Sequence, residues 1–150
     1  MLNPDKYDII KKLSVFLYQY NIRFYLVGGA VRDMLSGLEP VDFDFAAEVD
    51  ENMHLLISEA IKKAFNIKDT DYSYNKHYHT CKFILDGLDI DFIMCRREVY
   101  EEPGCIPSVA ASDIYDDLKR RDYSINAIAL SLNNKDRTIN PETGKIWDEP

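Results

Sequence analysis

Residues 79–95 read HTCKFILDGLDIDFIMC. Two alternating apolar runs flank an Asp-Gly pair, the pair a type I′ turn favours because both of its central residues take positive φ. A hairpin here commits the chain to an antiparallel pairing. Its second run sets Leu88, Ile90, Phe92 and Met94 on one face and Asp89 and Asp91 on the other. Any fold the chain adopts must include a sheet with one apolar and one partly acidic face.

Around that hairpin, helical and strand patterns interleave. Ile9, Leu13, Phe16, Leu17 and Tyr20 recur at helical spacing between about residues 5 and 20. RFYLV (23–27) has the aromatic and β-branched content of a short buried strand. A short helix is expected over 30–35, ended by Gly37. VDFDFAA alternates, which places Phe43 and Phe45 on one side of a strand and Asp42 and Asp44 on the other. A helix over 51–65 is expected to bury Met53, Leu56, Ile57, Ala60, Ile61 and Ala64. Residues 96–113, with Pro103, Gly104 and Pro107, read as a long loop, followed by a helical stretch over 113–128 and a strand over 127–132. Interleaved elements plus a strong hairpin imply an α+β fold with helices packed on a mixed β-sheet.

The 150 residues suit one domain, and 46% hydrophobic with 29% charged residues is an ordinary globular balance. No apolar run approaches the roughly 18–20 residues of a membrane span, and the opening MLNPDKYDII does not resemble a signal peptide. Cys81, Cys95 and Cys105 are odd in number and lack metal-ligand spacing, so reduced thiols and a cytoplasmic location are expected. A net charge of −8 argues against this segment alone wrapping a nucleic acid. Basic residues are instead concentrated in CRREVY and DLKRRDYS.

Two aspartates one residue apart on a strand share a face and can approach the same cation. Mg²⁺ takes one or two carboxylates together with substrate phosphates and water. Asp42 and Asp44 suit that role, and Asp91 or Asp89 on a neighbouring strand is placed to supply a third carboxylate. An isolated Asp-x-Asp is more often just a wet strand face. Here LVGGAVRD comes first, a strand running through Gly28 and Gly29 into a helix bearing Arg32, where backbone N–H groups can meet phosphate oxygens. The segment lacks the third glycine of a dinucleotide fingerprint and the Gly-Lys-Ser/Thr of a P-loop.

GGAVRDMLSGLEPVDFDF resembles the signature of the class II tRNA nucleotidyltransferase and poly(A) polymerase family, within the polymerase-beta-like nucleotidyltransferases. CRREVYEEPGCIPSVAASDIYDDLKRRDYSINAIALSL resembles that family's second block, with Tyr123 and Ser124 where Phe-Thr is usual. NPETGKIW resembles its Asp-Pro-x-x-Gly turn, with Asn140 for Asp. The resemblance implies a nucleotidyltransferase head domain over 1–150, cut from a longer chain with helical domains. It implies Asp42 and Asp44 as ligands of two catalytic Mg²⁺ ions (Mn²⁺ substituting), joined in catalysis by Asp91. Gly28, Gly29 and Arg32 then hold the triphosphate, and Arg121, Asp122 and Asn126 contact ribose and phosphates with Arg120 nearby. Arginine's planar fork suits phosphate oxygens, which makes these assignments physically sensible. Asp33 is expected to orient Arg32 or cap the turn, and Arg96 and Glu98 to support the loop. The three histidines receive no catalytic role, with His77 and His79 expected at the surface.

The implied reaction is attack of an RNA 3′-hydroxyl on the α-phosphorus of ATP or CTP, most naturally in tRNA 3′-CCA synthesis or repair. The RNA grip is expected mainly in domains beyond this chain, and no membrane partner is expected. Alternatives at this stage are a poly(A) polymerase, a nucleotidyltransferase acting on a small molecule, and an inactive head serving as an RNA-processing scaffold. The base-reading Glu-Asp-x-x-Arg motif of the family is absent from these residues.

Overall fold

The computed structural model describes residues 3–121 and 124–132. Asp122, Tyr123 and the NPETGKIW turn lie outside the described residues. In chain order come α1 (Pro4–Tyr18), β1 (Arg23–Val27), α2 (Gly29–Leu35), β2 (Asp42–Glu48) and α3 (Glu51–Ala64). They are followed by β3 (Tyr72–Asn75), β4 (Thr80–Leu85), β5 (Leu88–Met94), β6 (Arg96–Val99), β7 (Ser108–Ala111), α4 (Ile114–Lys119) and β8 (Ala129–Ser131). Local chemistry sets the boundaries. Pro4 occupies the first turn of α1 behind an Asn3 side chain that accepts from the Asp5 amide at 3.0 Å. Asp50 caps α3 by accepting from the Met53 amide at 2.7 Å.

The hairpin forms as its sequence requires. Asp86 and Gly87 take φ of 49° and 80°, and β4 pairs antiparallel with β5. The main sheet has the order β3-β4-β5-β2-β1-β8, with β2 and β5 parallel and the other neighbours antiparallel. It is the mixed sheet expected of an α+β fold.

The alternation in β2 sends Phe43 and Phe45 into the main core with Phe24, Leu26, Ile90 and Phe92, where α1 and α3 supply Leu13, Leu17, Ile57 and Ile61. Complete burial of such side chains stabilises by roughly 1.5–3 kcal/mol each. The opposite face carries a smaller cluster of Tyr25, Val27, Ala46, Ile93 and Cys95, against which α4 packs Ile114. That smaller cluster covers one end of the face and leaves the Asp42 and Asp44 end open.

Three expectations are corrected. Residues 96–113 are not one long loop. β6 and β7 pair from Arg96↔Ala111 to Val99↔Ser108, which confines Pro103 and Gly104 to the connection between strands too short for a clear period-2 signal. Among the described residues, the helical stretch expected over 113–128 is α4 plus a 3₁₀ turn at Ser124–Asn126, because after Leu118 the chain reads Lys-Arg-Arg-Asp with no apolar residue to continue the packed stripe. On α3, Met53 and Leu56 are 37% and 55% exposed, and the buried stripe is His54, Ile57, Ser58 and Ile61. The helix is rotated because polar side chains take inward positions. His54 sits stacked on Phe92 between the Tyr74 hydroxyl and the Phe92 carbonyl, each 3.0 Å from a ring nitrogen. No helix among the described residues is long and apolar enough to cross a membrane.

Candidate active site

The open end of the sheet face is built from strand register. Asp42 lies opposite Asp89 and Asp44 opposite Asp91 in the parallel β2–β5 pair. Cross-strand partners share a face, so these four carboxyl groups line one cleft of about 390 Å³. Asp42 is exposed and Asp44 is half-buried. Burial, reinforced by Asp91 and then Asp42, pushes the Asp44 carboxyl up to about 6, against a smaller lowering by Arg121 and Lys82. The face thus concentrates more negative charge than it neutralises. A bound cation relieves that imbalance.

The two glycines prove unequal. Gly28 adopts φ +71°, a left-handed conformation that side chains resist, and a β-carbon there would stand 3.4 Å from Arg121 Nη1 and 3.6 Å from Asp44 Oδ2. Gly28 therefore keeps open the gap between the Asp44 carboxylate and the Arg121 guanidinium. Gly29 has ordinary backbone, and a β-carbon there would meet Arg32 Nη2 at a tolerable 3.5 Å.

The two sequence blocks, far apart along the chain, are joined at this gap. The Gly28 amide donates to the Ile128 carbonyl at 3.0 Å, and β8 pairs with β1. Arg32 donates through Nε to Asp33 at 2.8 Å and through Nη1 to the Asn126 side-chain oxygen at 2.8 Å. Asp33 therefore orients Arg32. Arg121 stands beside Gly28, while Arg120 is set back, pairing with Asp117 at 2.9 Å and approaching Glu98 at 3.7 Å. Arg121 Nε is buried with no hydrogen-bond partner among the described residues. The Arg121 Nη1 group beside the open Gly28 gap suits a phosphate oxygen.

Sequence reasoning passed over three residues. Asp117 is fully buried on α4 and accepts from Arg120 and Arg121 and from the Arg96 backbone amide, at 2.9 to 3.1 Å. One carboxylate thus holds both Arg120 and Arg121. Lys82 on β4 lies opposite Asp91 and pairs with it at 3.0 Å. Tyr78 is the third, carrying the Arg96 guanidinium 5.0 Å above its ring centre. Periodicity could have flagged Lys82, since it alternates with the buried Cys81 and Phe83; Asp117 had no such signal. Arg96 and Glu98 pair with each other on β6 at 2.9 Å, and both side chains are almost covered. His77 is exposed, but the His79 side chain is only 16% exposed, tucked beside Glu51 and Tyr74.

Among the described residues, no three or more His, Cys, Asp or Glu side chains converge into a preassembled metal cage. Mg²⁺ does not demand one. It commonly binds one or two carboxylates and completes its shell with substrate phosphates and water. Asp42 and Asp44 on one strand face, with Arg121 Nη1 across the Gly28 gap from Asp44, are suited to that shared mode.

The geometry has close counterparts. The chain is 34% identical to an A-adding tRNA nucleotidyltransferase of Halalkalibacterium halodurans over 87% of its own length and 30% of that protein's. It superposes on an apo CCA-adding enzyme with a TM-score of 0.74 at 33% identity, covering 89% of this chain and 30% of that one. It also superposes on a tRNA nucleotidyltransferase solved with a primer tRNA and an incoming ATP analogue, with a TM-score of 0.62 at 27% identity over 82% of this chain and 32% of that one. The chain spans about 30% of the length of these relatives. The poly(A) polymerase head domain matches residues 24–148, from the first residues of β1 through the NPETGKIW segment. The chain belongs to the family of tRNA nucleotidyltransferase and poly(A) polymerase head domains.

Proposed function

We propose that this chain is the catalytic head of an enzyme that transfers AMP or CMP from ATP or CTP to the 3′-hydroxyl of tRNA, in synthesis or repair of the CCA end. The observation that carries this reading is the Gly28 gap, where an added β-carbon would stand 3.4 Å from Arg121 Nη1 and 3.6 Å from Asp44 Oδ2. The names of the relatives, which describe nucleotide addition to tRNA, supply the substrate class.

In the proposed reaction the 3′-oxygen bonds to the α-phosphorus and gives up its proton to solvent. The bond from that phosphorus to the α–β bridging oxygen breaks, and pyrophosphate leaves. Asp42 and Asp44 would hold two Mg²⁺ ions, which supply Lewis-acid activation of the hydroxyl and stabilise developing charge. Arg121 and Arg32 bind and orient the triphosphate, held in place by Asp117 and by Asn126 with Asp33. Gly28 lets the phosphates approach the backbone, and Asp91 adds a third carboxylate beside Asp44. No protein nucleophile takes part.

Calorimetry tests this directly. ATP or CTP binding to the wild type is expected to strengthen with Mg²⁺ or Mn²⁺, and Asp42→Ala and Asp44→Ala to lose that metal-dependent part. Equal binding with and without divalent ions sinks the reading. For the protein's full reading frame, labelled ATP and CTP offered to tRNAs lacking one, two or all three CCA nucleotides identify the nucleotide added.

A further inference from the structure

Strand register lays out one row across the active face: Ser73 on β3, Lys82 on β4, Asp91 on β5, Asp44 on β2 and Val27 on β1, with Gly28 next along the chain. The row has a direction. The triphosphate gap lies at its Gly28 end, and the lysine lies toward the β3 end, past the carboxylates. In-line phosphoryl transfer sets the attacking and leaving oxygens on opposite sides of the phosphorus. With pyrophosphate departing toward Gly28 and Arg121, the acceptor must approach from the Lys82 side.

On that side the third carboxylate is already engaged. The Lys82 ammonium lies 3.0 Å from Asp91 Oδ2, although the lysine side chain is 66% exposed. Lys82 and Asp91 border both the acidic cleft and a second cleft of about 600 Å³ that also includes Tyr74, Tyr78 and Arg96. An exposed ion pair of this kind is weak, typically below about 1 kcal/mol, so a competing anion can exchange it. Of the residues in the row, Lys82 is the one positive charge.

We propose that Lys82 is a positioning residue that exchanges Asp91 for the terminal phosphodiester of the incoming RNA. In the resting enzyme its ammonium occupies Asp91 and keeps that carboxylate from a divalent ion. When the RNA 3′ end arrives, Lys82 passes to its last phosphate and frees Asp91 to complete the cation site beside Asp44. Arrival of the acceptor is thereby coupled to assembly of the metal centre, which restrains idle hydrolysis of bound nucleotide. No covalent bond changes in this exchange. The inference rests on the nucleotidyl-transfer reading above and assigns the acceptor a side of that site.

The test is Mn²⁺ affinity, followed through the spectroscopic signal of the free ion, for wild type, Lys82→Met and Lys82→Arg. Each is titrated alone and with a short single-stranded oligoribonucleotide ending in a 3′-hydroxyl. Removing a weak competing charge is expected to tighten Mn²⁺ binding about threefold to fivefold in Lys82→Met without RNA. The oligonucleotide should tighten Mn²⁺ binding in wild type and Lys82→Arg but add nothing in Lys82→Met. The same oligonucleotide with a neutral methylphosphonate at its last linkage should have no effect on wild type. Equal Mn²⁺ affinity in wild type and Lys82→Met overturns the inference. An RNA effect that persists in Lys82→Met, or that is absent from wild type, also overturns it. Wild type that binds no Mn²⁺ under any condition overturns the nucleotidyl-transfer reading as well. Thermal melts of the three proteins, expected to coincide at this exposed position, separate a binding effect from misfolding.

Discussion

Arg32 donates from Nη1 to the side-chain oxygen of Asn126 at 2.8 Å, across 94 positions of sequence. This bond fastens the helix that follows the glycine turn to the segment that follows the arginine pair. Asn126→Ala removes the acceptor from a partly covered guanidinium, at an expected stability cost of roughly 1–2 kcal/mol. Because Arg32 then loses one of its two orienting partners, ATP affinity should fall by more than the stability change predicts. Denaturant titration and calorimetry on the same preparation check both quantities.

Gly28 and Gly29 should respond differently to a methyl group. Gly28→Ala forces a side chain into left-handed backbone, at about 1–2 kcal/mol, and fills the gap between Arg121 and Asp44. Nucleotide binding by this variant should drop by about tenfold or more, equivalent to about 1.4 kcal/mol. Gly29→Ala should leave stability nearly unchanged or slightly raised, since alanine favours the helix that starts there. Similar losses from both substitutions would contradict the unequal roles assigned to the two positions.

Asp117 is buried beneath Arg120 and Arg121, which are themselves only 19% and 15% exposed. Asp117→Ala leaves two covered guanidinium groups short of a counter-ion, and losses of about 3–5 kcal/mol are expected from breaking such a pair. Asp117→Asn keeps the shape and should lose less. Urea unfolding of the two variants orders them.

Asp44 makes stability depend on pH in an unusual direction. Its carboxyl is raised from 3.8 to about 6 by burial and by Asp91 and Asp42. The folded chain therefore holds that proton more tightly than the unfolded chain does. The associated stability is present below pH 4 and is lost as pH rises through about 6, by an amount on the order of 3 kcal/mol. Without metal, Asp44→Asn should melt above wild type at pH 7.5, with the gap closing toward pH 4.5. Saturating Mg²⁺ should narrow the gap at pH 7.5 by stabilising the wild type alone.

His54 acts in the opposite sense over the same window. Burial lowers its imidazole from 6.5 to about 4, opposed by a smaller hydrogen-bond contribution from Phe92. Its contribution to stability is present above pH 6.5 and is lost as pH falls through about 4, by roughly 3 kcal/mol. His54→Phe should be less stable than wild type at pH 7, because Tyr74 and the Phe92 carbonyl lose their partner, yet less sensitive to acid. Parallel pH–melting curves for the two proteins would refute the assignment.

Much of the frame was legible before any coordinates. Strand alternation in VDFDFAA and LDIDFIM reports side-chain direction at a period of two residues, so Phe43 and Phe45 go inward and Asp42 and Asp44 outward whatever the neighbours are. The Asp-Gly turn is equally local, because its need for positive φ is set within two residues. The same logic misjudged α3. There a helix could rotate, and the choice went to His54, whose ring finds partners on β3 and β5 that local sequence does not display.

What residue order alone determined was the set of faces: which side chains share a side of each strand, where turns fall, and that two acidic positions accompany a glycine bend. What only the tertiary structure decided was which distant groups meet. Asp91 lies beside Asp44 because β5 pairs parallel to β2, Arg121 beside Gly28 because β8 docks on β1, and Lys82 on Asp91 because β4 pairs antiparallel to β5. Pairing between strands follows from the burial of a shared core and from long-range hydrogen bonding. Those energies belong to the assembled sheet rather than to any short stretch of chain.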